Sequence, residues 1–187
     1  PRSTLFPYTT LFRSSINKER WRTVPDYSVI HAAAHDILCV GGATSIDRNM
    51  RLSMRNNAAL GYDGDLDIRP AYYWSNEAPV FDAEKLGVAV KLSYELIDTV
   101  VTHTAPSFCE FTDKGPMLMR FAKSDPNLIE DCDNERKQMD CLYDALKESV
   151  NVPIQNWIYG HFHASRRMNI DGISFTMLDC EELKELY

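Results

Sequence analysis

Short apolar runs that stop abruptly at small or polar residues are the main pattern in this chain. Asp36–Val40 is apolar and partly β-branched and ends at Gly41-Gly42, which reads as a buried strand running into a loop. Asp98–His103 repeats the pattern, with a histidine at its end and Ala105-Pro106 as the break. Asn156–Tyr159 forms a third strand and Ser174–Leu178 a fourth, joined through a turn at Asp171-Gly172. Between them the period changes. Asp82 reads as an N-cap for a helix over Lys85–Leu96, although Gly87 weakens it. Met139, Leu142, Ala145, Leu146 and Val150 recur at steps of three and four, which predicts an amphipathic helix over Asp131–Val150. Ala43–Pro79 is polar with little period and reads as a long loop, a length uncommon unless the loop is functional. Strands separated by helices point to an α/β fold or a layered sandwich.

Composition narrows the class. A chain of 187 residues, 44% hydrophobic and 25% charged, is sized and composed for one globular domain with a real core. No apolar run approaches the roughly 20 residues that span a bilayer, so no membrane partner is expected. The formal charge of −7 does not indicate nucleic-acid binding. Cys39, Cys109, Cys132, Cys141 and Cys180 are scattered, odd in number and free of any CxxC pair. They read as reduced thiols, mostly packed in the core, of a cytoplasmic protein.

The first residues stand apart. Thr4–Ser14 (TLFPYTTLFRS) resembles the in-frame translation of a sequencing adapter, and no initiator methionine precedes it. A secretory signal would need an apolar core and a small-residue cleavage site, and this segment has neither. Residues 1–15 are therefore expected to be artefactual and residues 16–187 to be a partial domain. The excluded segment carries Arg2, Arg13 and no acid, so without it the charge of −7 falls to −9.

Candidate chemistry sits at the strand ends. Two imidazoles, His161 and His163, follow Trp157-Ile158-Tyr159-Gly160, and on extended backbone residues i and i+2 project to one face. His103 ends the neighbouring run. Neutral imidazole is the commonest protein metal ligand, and sites in open α/β sheets gather at strand C-termini. The competing reading is a pair of surface histidines on a turn.

Three rival motifs fail. His161-Phe162-His163 cannot open an HxHxDH metal motif, because Ser165 and Arg166 stand where Asp and His are required. His31-Ala-Ala-Ala-His35 has the i,i+4 histidines of a zinc protease helix but no glutamate base. Asp63-Gly64-Asp65-Leu66-Asp67 imitates a calcium loop, yet Ile68 replaces its glycine and Trp74 its closing glutamate.

Thr102-His103 and Gly160-His161-Phe162-His163 match the last two motifs of the calcineurin-like metallophosphoesterases. The segments Gly41–Arg48 (GGATSIDR) and Tyr73–Pro79 (YWSNEAP) also resemble members of that family, so the likeness spans most of residues 36–183. The resemblance implies a four-layer αββα sandwich of two mixed sheets flanked by helices. It implies two divalent metal ions (Mn, Fe, Zn or Ni), with His103 and His161 on one and His163 on the other. Two ions about 3.5–4 Å apart would clamp a phosphate ester and activate a bridging water.

The earlier family motifs D-x-H, GD-x-x-D and GNH-[DE] are absent from this sequence, so the expected chain is an inactive fragment of a phosphoesterase. None of its own residues is assigned as catalytic. Such a fragment would expose sheet edges and apolar faces and be poorly soluble or molten.

Asp47, Arg48 and Arg51 lie in the expected loop, and arginine suits phosphate recognition through its planar fork; loop-stabilising ion pairs are the alternative. Glu77 is a candidate to bond either loop backbone or a ligand histidine. Trp74 and Trp157 read as packing residues. Two further function classes compete: a binding or scaffold protein that kept the fold without its chemistry, and a mono-zinc hydrolase built on the three histidines. The substrate, whether monoester, diester, nucleotide or phosphoprotein, is left open, as is the oligomeric state.

Overall fold

Ten elements account for the regular structure in the computed structural model, which describes residues 24–32, 34–59, 73–109 and 115–186. The strands are β1 (Ser28–Ala32), β2 (His35–Val40), β3 (Thr99–Thr102), β4 (Asn156–Tyr159), β5 (Arg166–Ile170) and β6 (Ile173–Met177). The helices are α1 (Arg48–Ala59), α2 (Ala83–Leu92), α3 (Pro116–Ala122) and α4 (Leu128–Ser149). One sheet joins the strands in the order β1-β2-β3-β4-β6-β5. β2, β3, β4 and β6 run parallel, and β1 and β5 close the two edges as antiparallel partners. The α/β class is therefore present as a mixed six-stranded sheet with four helices.

Register explains which face is covered. Leu38, Val100, Trp157 and Phe175 lie side by side across four strands, as do Val40 and Thr102, and Tyr159 and Met177. That face meets Leu86, Ala89 and Val90 of α2 and Met139, Leu142, Tyr143 and Leu146 of α4 in a single core. Each large apolar side chain buried there contributes roughly 1.5–3 kcal/mol before entropy is counted. The other face carries Ile30, Ile37, Cys39, Val101 and Ile158, which alternate with the core residues along their strands. No second sheet is present among the described residues, so the four-layer arrangement is not seen.

Local chemistry sets the helix limits. Asp82 is the N-cap of α2, its side chain accepting from the Lys85 amide at 3.0 Å, as the sequence predicts. The helix stops at Leu92, four residues before the expected end. Tyr94 and Glu95 adopt left-handed φ of 54° and 64°. The Glu95 amide bonds back to the Val90 carbonyl and the Tyr94 amide to that of Lys91. This double closure usually uses glycine. With tyrosine and glutamate in its place, the sequence carried no stop signal. α4 begins at Leu128, three residues earlier than its apolar period implied, and ends one residue before Val150.

Other expectations are corrected. The long loop over Ala43–Pro79 contains α1, in which Met50 and Met54 recur at helical spacing but stay exposed. The turn at Asp171-Gly172 forms with φ of 53° and 83°, suited to a two-residue hairpin, but it joins β5 to β6 rather than the third and fourth expected strands. β1, β5 and α3 were not anticipated. Both strands are edge strands, and the apolar residues of α3 include the exposed Met117 and Met119. His31 and His35 lie on adjacent strands, not one helix, and His35 is buried against Asp98 at 3.0 Å.

No disulfide joins the cysteines, but only Cys109 is fully buried, and Cys141 and Cys180 are exposed, so mostly core packing is incorrect. Trp157 is wholly buried, as expected for a packing residue. Residues 1–15 and Asp63–Asp67 lie outside the described residues. No helix among the described residues is long and apolar enough to cross a membrane.

Gly41-Gly42 has a tertiary reason. Gly42 adopts a φ of 96°, and a Cβ there would lie 2.5 Å from the Glu77 carbonyl oxygen and 3.1 Å from the Pro79 nitrogen. Only glycine fits both the dihedral and the approach. The same contact brings Glu77 to the loop after β2, where its Oε1 accepts from the Ser45 amide at 2.7 Å. Of its two candidate roles, Glu77 takes the backbone one.

Candidate functional site

Because β3, β4 and β6 are parallel neighbours, their C-terminal ends lie along one edge of the sheet. A shallow pocket of about 300 Å³ opens there, lined by Val101, His103, Ile158, Gly160, His161, His163 and Leu178–Cys180 among others. The three histidines expected at strand ends therefore share one pocket. His103 and His161 meet edge to face with ring centroids 5.1 Å apart. The Gly160 amide bonds to the His103 carbonyl at 3.2 Å, fixing the two strand ends together.

The backbone reason for the histidine pairing differs from the expected one. His161 and His163 are not on extended chain; both are left-handed, with φ of 69° and 51°. Non-glycine residues rarely adopt this region, and holding them there costs roughly 1 kcal/mol or more apiece. Two such residues bracketing Phe162 make a tight bend that returns both imidazoles to the same pocket. Local strain of this kind clusters at functional sites.

Burial favours the neutral form of two of the rings. Burial, then the neighbouring His103 and His163, then Arg136 push His161 down to about 4. His103 is lowered too, by burial first and then by His163, although the residue as a whole is exposed. A neutral imidazole offers a lone pair to a metal ion or to a proton. Among the described residues, none of the three rings is hydrogen-bonded to another side chain.

No protein-family model matches the chain, and no curated protein matches it significantly. His103 and His161 suit a metal in protonation state, and all three imidazoles share one pocket. Their number and spacing fall short: among the described residues no group of three or more His, Cys, Asp or Glu side chains is arranged to hold an ion. The described residues do not make a complete metal cage.

Asp179 and Cys180 were missed. Both follow β6 and line the same pocket, and carrying the strand-end rule through to the last strand would have found them. Asp179 Oδ1 accepts from the Cys180 amide at 2.7 Å, and the Asp179 amide donates to Glu182 at 2.9 Å, so this loop is held in place.

Arg48 and Arg51 do not line the pocket. They lie on α1 rather than in a loop. Arg48 forms a fork on Asp125, Nε to Oδ2 at 2.5 Å and Nη2 to Oδ1 at 2.9 Å, and also reaches Asp131 at 2.6 Å. These carboxylates raise the Arg48 pKa, and Arg48 in turn holds Asp125 below the usual carboxylate range. Arg51 pairs with Asp47 one turn away at 2.7 Å. The ion-pair alternative describes the geometry of both.

Proposed function

We propose that the chain is part of a metal-dependent phosphoesterase in which His103, His161 and His163 supply nitrogen ligands. The observation that carries this reading is the convergence of three imidazoles, two of them on left-handed backbone, at the C-terminal edge of a parallel sheet. The order of the Thr102-His103 and Gly160–His163 segments along the chain supports it. So does the apolar second face of the sheet, with Ile37, Val101 and Ile158, which suits the inner face of a four-layer sandwich.

When bound, a pair of divalent ions would polarise a phosphate ester and lower the pKa of a water molecule. The chain's own part is narrower. The His161 ring stays unprotonated near neutral pH and the His103 ring holds its place against it. The bend around Phe162 keeps His163 on the same pocket. With three imidazoles and no complete donor group among the described residues, this chain is expected to bind metal weakly and to turn over no phosphate ester.

Metal uptake decides between the readings. Equilibrium dialysis against Mn²⁺ and Zn²⁺ should show binding that is lost in His103→Ala and His161→Ala. Uptake unaffected by either change would sink the metal assignment and favour a scaffold that kept the fold without the chemistry. Zn²⁺ binding at one ion per chain with hydrolysis of a nitrophenyl phosphate would favour the mono-zinc hydrolase instead.

A further inference from the structure

We propose that Glu135 and Arg136, adjacent on α4, are positioning residues that set the geometry of the histidine pocket by gripping the loops after β2, β3 and β4. Neither residue lines the pocket. Glu135 is 4% exposed, on the core side of the helix. Its Oε2 accepts from the Thr44 amide at 2.5 Å, which fixes the loop after β2. The buried hydroxyls of Thr104 and Thr44 lie close enough to stabilise the carboxylate, though neither completes a hydrogen bond of good geometry. Thr104 is the residue after His103.

Arg136 reaches the other two loops. Its Nη2 donates to the Pro106 carbonyl at 2.9 Å, three residues past His103. Its guanidinium carbon lies 5.0 Å from the centroid of the Phe162 ring. Phe162 separates His161 from His163, and its ring stands 5.1 Å from that of His161. One helical step thus touches a residue next to His103 and the residue between the paired histidines.

A purely structural account is the weaker one. Burying a carboxylate costs several kcal/mol unless it is well bonded, and an apolar residue of similar size would stabilise the helix more cheaply. Burial does raise the Glu135 pKa despite its partners. A buried acid beside an arginine at this one step is explained by what the two residues hold. The loops it holds carry the histidines.

The proposal rests on the pocket being the functional site, so its test has a readout that needs no metal. In the full chain, nuclear Overhauser contacts between the His103 and His161 rings report their edge-to-face packing directly. Glu135→Ala and Arg136→Ala should abolish those contacts and shift the imidazole signals. Leu146→Ala, on the same helix and also buried, should lower thermal stability while leaving the contacts intact. If Glu135→Ala does not fold, Arg136→Lys carries the test, since it keeps the charge but loses the planar stacking on Phe162. Unchanged imidazole signals in Arg136→Lys and Arg136→Ala, equal disturbance by Leu146→Ala, or absence of the contact in the parent chain would each overturn the proposal.

A second readout is Co²⁺ affinity, expected to fall about tenfold or more in the positioning variants and to stay unchanged in Leu146→Ala. A parent chain that shows the ring contact but takes up no Co²⁺ refutes the metal reading alone. The ring contacts still decide the roles of Glu135 and Arg136.

Discussion

His161 shows how much a single residue depends on its surroundings. Its sequence neighbours give a glycine, a phenylalanine and another histidine, none of which fixes a charge state. In the fold its pKa falls from the ordinary 6.5 to about 4, through burial first and the other two imidazoles next. The unfolded chain therefore binds more protons than the folded one between those values, so stability must rise with pH across that window. The contribution of His161 is fully present above about 6.5 and is lost as pH falls towards 4, by at most about 3–4 kcal/mol in metal-free protein. Urea unfolding at pH 7 and pH 4.5 checks this, with His161→Asn as the comparison because asparagine tolerates left-handed backbone. The variant should lose much less on acidification. Parallel profiles for the two proteins would remove His161 from the account.

At the scale of elements, α1 is the least legible and the most informative. Its Met50 and Met54 stay exposed rather than joining the core, and its anchorage is ionic instead. Arg48 forks onto Asp125 before α4, and Asn49 bonds the Ser124 carbonyl at 2.8 Å. Asp125 is only 6% exposed, so removing its partner strands a buried charge. Arg48→Met should cost at least about 2 kcal/mol in urea unfolding, whereas the double variant Arg48→Met with Asp125→Asn should recover part of that loss. The exposed Asp131 adds little. Additive effects of the two changes would show that the pair is not coupled.

Elements with an apolar period were read correctly: β2, β3, β4 and the body of α4 sit where their patterns put them. Misreadings fell where tertiary contacts replaced the pattern. α2 ends on a left-handed closure without glycine, and β1 and β5 exist because a neighbouring strand offers them partners.

For the molecule as a whole, the sheet is held together at its centre. Trp157 lies in β4 with its ring 5.6 Å from Phe175 and 6.0 Å from Tyr143, and its Nε1 donates to Thr102 at 3.0 Å. It thereby ties β3, β4, β6 and α4 together. Trp157→Phe keeps an aromatic ring but loses the hydrogen bond and some volume. The expected cost is about 1–3 kcal/mol in equilibrium unfolding, with no change in the slope against denaturant. A loss confined to β5 and β6 in hydrogen exchange would contradict this central role.

What the sequence determined by itself were the strands that carry the histidines, the two main helices, the N-cap at Asp82, the turn at Asp171-Gly172 and the candidate ligands. These follow from local periodicity and from steric rules that act within a few residues. The tertiary structure alone decided that His103, His161 and His163 share one pocket, and that they do so through left-handed backbone. It also decided that Arg48 serves a buried carboxylate, that Gly42 yields to the backbone of residues 77–79, and that Glu135 and Arg136 touch three loops at once. Each of those depends on groups far apart in the chain. Their proximity is set by strand order and register, which no local pattern encodes.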